Sequence, residues 1–159
     1  MKKMVLTFVL FIALCVCAFA QKENKTAAGF GMEWNGNSPD FIAAGFAFNF
    51  DYNLPVSAVP LAVGFALTSS SNYRGTRAVE FASLFRWYFE GKAHNGLFLQ
   101  AEAGFSLFPG GKNPPLPVLA GLRIGYRKSA DKSFYVEPYA ALGCSYLLRG
   151  GLIVGKRFK

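Results

Sequence analysis

The chain is short of the residues from which most active sites are built. It has one histidine, His94, and three cysteines, of which Cys15 and Cys17 fall inside an apolar run at the amino terminus. His94 has no serine or cysteine nucleophile near it in sequence, so the chain is read as a non-enzyme and His94 as a solvated side chain in the turn Gly91 to Asn95. No metal-ligand spacing, phosphate-cradling loop or nucleic-acid motif occurs, and Gly29-Phe30-Gly31 is a lone glycine pair on a strand. The expectation is therefore no cofactor, no metal and no nucleic-acid partner. Cys144 is the only cysteine beyond the first 20 residues, which excludes an internal disulfide in the remainder.

Long apolar runs are also scarce, and the one present has a specific shape. Lys2 and Lys3 precede Met4 to Cys17, and Ala18-Phe19-Ala20 is a small-x-small cleavage site, the pattern of a secretory signal peptide over residues 1–20. The run falls below the roughly 20 residues that a spanning helix needs. Lipidation at Cys15 or Cys17 is the alternative, although Leu14 or Val16 stands where a small residue is usual. Residues 21–159 then form one domain. Nine acidic residues against 17 lysines and arginines give a net charge of +8, a basic excess that suits anionic headgroups and equally suits a solvated rim.

What the chain does have is alternation. From Phe41 to Tyr52, Ile42, Ala44, Phe46, Phe48, Phe50 and Tyr52 share one parity, and Ala43, Gly45, Ala47, Asn49 and Asp51 share the other. Similar segments recur at about 27–34, 60–69, 77–89, 96–108, 116–126 and 133–148. A shorter one at 151–158 follows a tight hairpin at Arg149-Gly150, and the connections are rich in turn formers. This predicts an all-β, eight-stranded antiparallel up-and-down barrel whose apolar face looks outward into lipid. The glycines support that polarity. Gly29, Gly31, Gly45, Gly64, Gly104, Gly121, Gly125, Gly143 and Gly155 all take the polar parity, where a narrow lumen needs room.

The apolar parity ends in aromatics on alternate strands. With the amino terminus on the periplasmic side, Tyr52, Trp87, Phe89, Tyr126 and Phe158 predict a periplasmic girdle at headgroup level. Cys144 and Tyr146 take the same outward parity. The inward parity carries charges, which must be paired. Arg86, Glu102, Arg123 and Glu137 predict a ladder across the lumen, with Arg123 level with both acids. Tyr73, Arg74 and Lys112, in the connections 69–76 and 109–115, are the exposed-loop candidates for binding.

The signal peptide, the alternating strands, the glycine and charge lumen, and the ending Gly151-Leu152-Ile153-Val154-Gly155-Lys156-Arg157-Phe158 together resemble the small OmpA/OmpX-like and opacity-type outer-membrane barrels. The resemblance covers residues 21–159. It implies export to the outer membrane of a diderm bacterium and contact with outer-membrane lipid and lipopolysaccharide. It further implies a monomer, with recognition of the last strand by the barrel assembly machinery. A non-enzymatic structural or surface-interaction role follows, and short outer loops weigh against an adhesin. A narrow channel through the polar lumen is one alternative. A soluble lipocalin-like barrel binding a hydrophobic ligand is another, and it requires the aromatic parity to point inward.

Overall fold

A sheet whose residues alternate between apolar and polar parity must either end in open edges or close on itself, and here it closes. Eight antiparallel strands pair in chain order and the last returns to the first. They are β1 Thr26–Ser38, β2 Phe41–Asn53, β3 Leu61–Asn72, β4 Arg77–Tyr88, β5 Gly96–Leu107, β6 Val118–Ser129, β7 Phe134–Gly143 and β8 Leu148–Phe158. The structure, a computed structural model, describes residues 26–38, 41–54, 60–72, 77–89, 94–109, 118–130, 133–144 and 146–158. Residues 1–20, where a signal peptide is expected, and the loop candidates Tyr73, Arg74 and Lys112 lie outside the described residues.

Closure fixes a stagger. From Glu33, one path through paired residues runs by Gly45 and Ser70 to Ala78 on β4. The opposite path runs by Gly151, Tyr139, Gly125 and Phe98 to Tyr88 on the same strand. The ten positions between residues 78 and 88 are the shear of the barrel, the offset that tilts the strands about 35–45° to the axis. Thr26 pairs with both Tyr52 and Phe158, so the first and last strands end together. That terminal end also carries the β2–β3, β4–β5 and β6–β7 connections; the other four connections form the far end.

The parities stand as predicted over most of the wall. Asn49, Asp51, Arg86, Gln100, Arg123 and Glu137 are fully buried, while Phe30, Met32, Leu122 and Val154 on the opposite parity are more than half exposed. Rings stack across the outer face from β2 to β5, Phe50 to Phe65, Phe65 to Phe81 and Phe81 to Phe105, with centroids 5.5–6.0 Å apart. Diagonal and direct cross-strand neighbours on one face come within this reach.

The sequence reading errs where polar composition imitates a turn. Asn35, Gly36, Ser70 and Asn72 continue their strands, and Arg127 continues β6. The hairpin expected at Arg149-Gly150 lies instead at 144–147. Arg149 pairs with Asn35 on one side and Ala141 on the other, inside both ladders. Moving that turn reverses Tyr146, predicted outward, which is 1% exposed and inside the lumen. Cys144 is exposed as expected. Gly150, on the outer face, is covered by the Trp34 indole, so that a Cβ there would sit 2.7 Å from Nε1, an aromatic shielding a bare stretch of wall.

Some of the lumen glycines are required by the wall itself. A Cβ on Gly64 would lie 2.8 Å from Asp51 Cα and against the Phe50 carbonyl oxygen, and backbone cannot yield as a flexible side chain can. We expect Gly64→Val to destabilise the barrel by about 1–3 kcal/mol, read as a lower urea midpoint. Gly36→Ala, whose Cβ meets nothing closer than 3.9 Å, should leave the midpoint near that of the parent.

Candidate functional site

The lumen is where chemistry-bearing side chains converge, and four arginines occupy it in a repeating arrangement. A glycine bares the wall, a ring from another part of the lumen face lies against it, and a guanidinium stacks on the ring. Tyr135 lies on Gly29 and Gly155 and carries Arg127, whose Cζ is 4.0 Å from the ring centroid. Tyr139 lies on Gly151 and carries Arg123 at 4.0 Å. Tyr146 covers Gly121 and Gly143 and carries Arg149 at 3.7 Å, and Phe98 covers Gly125 and carries Arg86 at 4.0 Å. Composition alone suggested that the glycines make room for charge. Gly29, Gly121, Gly125, Gly143, Gly151 and Gly155 make room for rings, and the rings hold the charge by desolvated cation–π contact.

At the terminal end, two arginines share two acids. Arg86 Nη1 and Nη2 donate to the two oxygens of Glu137, each at 3.0 Å, and Arg127 Nε donates to Glu137 Oε2 at 2.6 Å. Both also reach Asp51, Arg127 Nη2 at 2.7 Å and Arg86 Nη1 at 3.3 Å. Such forked, charge-assisted bonds are the strong kind. The Arg127–Glu137 bond has a second task. β6 and β7 pair at Gly125↔Tyr139 and again at Lys128↔Val136. Pro138, which lacks an N–H to donate, lies in the gap between them. The ion pair clasps the two strands across that gap.

His94 is not solvated. It is 2% exposed, has a left-handed backbone with φ 60°, and turns its ring into the lumen edge-on to Tyr88, 6.3 Å between centroids. Its Nδ1 is 2.9 Å from Asp51 Oδ1 and 2.9 Å from Arg127 Nη1. One nitrogen can donate to the carboxylate or accept from the guanidinium, according to its tautomer, but cannot do both. Nothing in the linear sequence places Asp51 beside His94; the closing of the sheet does.

Toward the far end, Arg149 is the centre. It bonds Glu80 through Nη2 and Asn35 Oδ1 through Nε at 2.8 Å, and it stands 3.7 Å from Glu102 and 3.8 Å from Glu33. Thr68 and Ser106 hydroxyls donate to Glu80, and Tyr139 donates to Glu33 at 2.9 Å. Tyr146 donates to Glu102 at 3.3 Å. Gln100 joins the halves, accepting from Arg86 Nε at 2.7 Å and donating to Glu102 at 2.6 Å.

The four predicted lumen residues are thus all inside, but not as one ladder. Arg123 meets Glu102, 2.6 Å from its Nε, whereas the ion pairs of Glu137 among the described residues are with Arg86 and Arg127. The register explains the split. Arg123 pairs across with Ala141, which leaves Glu137 four positions along β7, level with Arg127. Arg127, Arg149 and Tyr146 were missed because each adjoined turn formers; extending the odd parity of Arg123 and Gly125 by one step would have found Arg127. The girdle candidates gather on the outer face at the terminal end. Trp87, Phe89, Tyr126 and Phe158 are 42–47% exposed, with Tyr52 half-buried beside them. No protein-family model matches the chain, and no curated protein is significantly similar to it.

Proposed function

We propose that this protein is a non-enzymatic outer-membrane β-barrel of the OmpA/OmpX-like and opacity-type kind, with a structural or surface-interaction role, working as a monomer whose lumen is sealed by its own side chains. The observation that carries the reading is the inverted distribution of polarity. Four arginines and the acids Asp51, Glu80, Glu102 and Glu137 are all at most 4% exposed, while Leu142, Met32 and Ile42 exceed 60% exposure. In water that arrangement leaves apolar surface unsatisfied; in a bilayer both faces have their solvent. A lipocalin-like role would need an apolar lumen. A channel would need a wet path, and the guanidiniums cross-linked from Arg127 through Gln100 to Arg149 weigh against one in the narrow lumen of an eight-stranded barrel.

The test is heat-modifiable migration of the detergent-refolded chain 21–159 on a gel, beside single-channel recording in planar bilayers. We expect a folded band that shifts on boiling and a bilayer without discrete conductance steps. A shift accompanied by steps would replace the sealed barrel with a channel. A chain that stays folded in water without detergent, and shows no shift, would sink the membrane reading.

A further inference from the structure

Among the described residues, the outer face of the barrel carries charge of one sign. All five acids among the described residues, Glu33, Asp51, Glu80, Glu102 and Glu137, are buried in the lumen. The outward, exposed charged residues among the described ones are Arg77 at the far end and Lys128 and Lys156 at the terminal end. The two lysines are close neighbours. Lys128 on β6 pairs with Val136 on β7, and Lys156 on β8 pairs with Phe134 on β7, so they flank a single strand. Two interstrand spacings and the two-residue offset between Val136 and Phe134 set their backbones about 12 Å apart, within the combined reach of two long side chains. Phe134 stands between them, half exposed, with Lys156 Nζ 5.9 Å from its ring centroid. Tyr126 and Phe158, also exposed, border the patch on either side. Elsewhere around that rim the outward residues Tyr52, Leu61, Trp87, Phe89 and Leu97 carry no charge.

We propose that the outer face of β6–β8 at the terminal end is a binding site for an anionic phospholipid, its phosphate held between Lys128 and Lys156 and its glycerol region resting on Phe134. The inference rests on the membrane reading above. In the topology of that reading the termini lie on the periplasmic side, where the leaflet is phospholipid, and this selects phospholipid over lipopolysaccharide as the occupant. Lysines at a strand end extend along the apolar wall and deliver their ammonium groups to the headgroup layer, and each basic residue there attracts anionic lipid by an electrostatic term that falls off within a Debye length.

The measurement is native mass spectrometry of the refolded chain 21–159 in non-ionic detergent, titrated with phosphatidylglycerol or phosphatidylethanolamine of the same acyl chains. The parent should retain phosphatidylglycerol preferentially. Lys128→Gln and Lys156→Gln should each weaken it about fivefold, the double variant should lose the preference, and the Lys128→Arg/Lys156→Arg pair should keep it. Arg77→Gln, at the opposite end, should leave it unchanged. Heat-modifiable migration of every variant reports the folded barrel separately. A folded double Gln variant that still prefers phosphatidylglycerol, or a folded parent without preference, overturns the site while leaving the membrane barrel standing. A parent that folds only without detergent overturns both.

Discussion

Glu137→Gln should lower the stability of the folded barrel by about 3–5 kcal/mol, the cost of removing one partner from a buried charge pair. Glu137 accepts three hydrogen bonds from two arginines, at 3.0, 3.0 and 2.6 Å, and both guanidiniums are fully buried. The amide keeps the shape and one acceptor but not the charge, leaving Asp51 to balance Arg86 and Arg127. A second loss is local, because the Arg127–Glu137 clasp spans the part of the β6–β7 seam that contains Pro138. Urea unfolding of the refolded chain in lipid vesicles, followed by tryptophan fluorescence, measures the change. The compensating variant Arg127→Met/Glu137→Leu removes both charges and should recover most of the loss, since apolar residues of similar volume replace such pairs at little cost. If Glu137→Gln unfolds at the parental midpoint, the lumen network contributes no stability and its description as a cross-linked core is wrong.

Phe81→Lys, near the middle of β4 on the outer face, should destabilise the barrel by about 2–4 kcal/mol in lipid vesicles, whereas Phe89→Lys at the terminal rim should cost about 0–1 kcal/mol. Phe81 stacks between Phe65 and Phe105, at 6.0 and 5.7 Å, so part of its loss is ring contact; Phe81→Ala measures that part, about 0.5–1.5 kcal/mol. The remainder reports the solvent. Were the outer face in water, a lysine there would be solvated, so Phe81→Lys would cost no more than Phe81→Ala, and Phe89→Lys would fall within about 0.5 kcal/mol of the parent. Dependence on depth along the strand is therefore what separates a barrel in lipid from one in water.

Much of this architecture was legible in advance because strand periodicity is a local property. Phe41 to Tyr52 declares its two faces without reference to any other strand, and the lumen parity of Arg86, Glu102, Arg123 and Glu137 follows in the same way. Boundaries were less legible. Ser70 and Asn72 or Arg127 and Lys128 have the composition of a turn, and a barrel whose strands run 10–13 residues carries such residues inside its ladders. His94 was illegible altogether, since its environment is made of Asp51, Tyr88 and Arg127 from three other segments.

The sequence by itself determined the strand count, the choice of faces over most of the wall and the burial of Arg86, Glu102, Arg123 and Glu137, because each depends on residue type and a period of two. Only the tertiary structure decided who meets whom: Arg127 and Arg86 on Glu137, Arg149 on Glu80, Tyr135 on Gly29. Those pairings depend on the stagger of a closed sheet, which displaces the two paths around the barrel by ten positions between Ala78 and Tyr88, and no single strand contains that number.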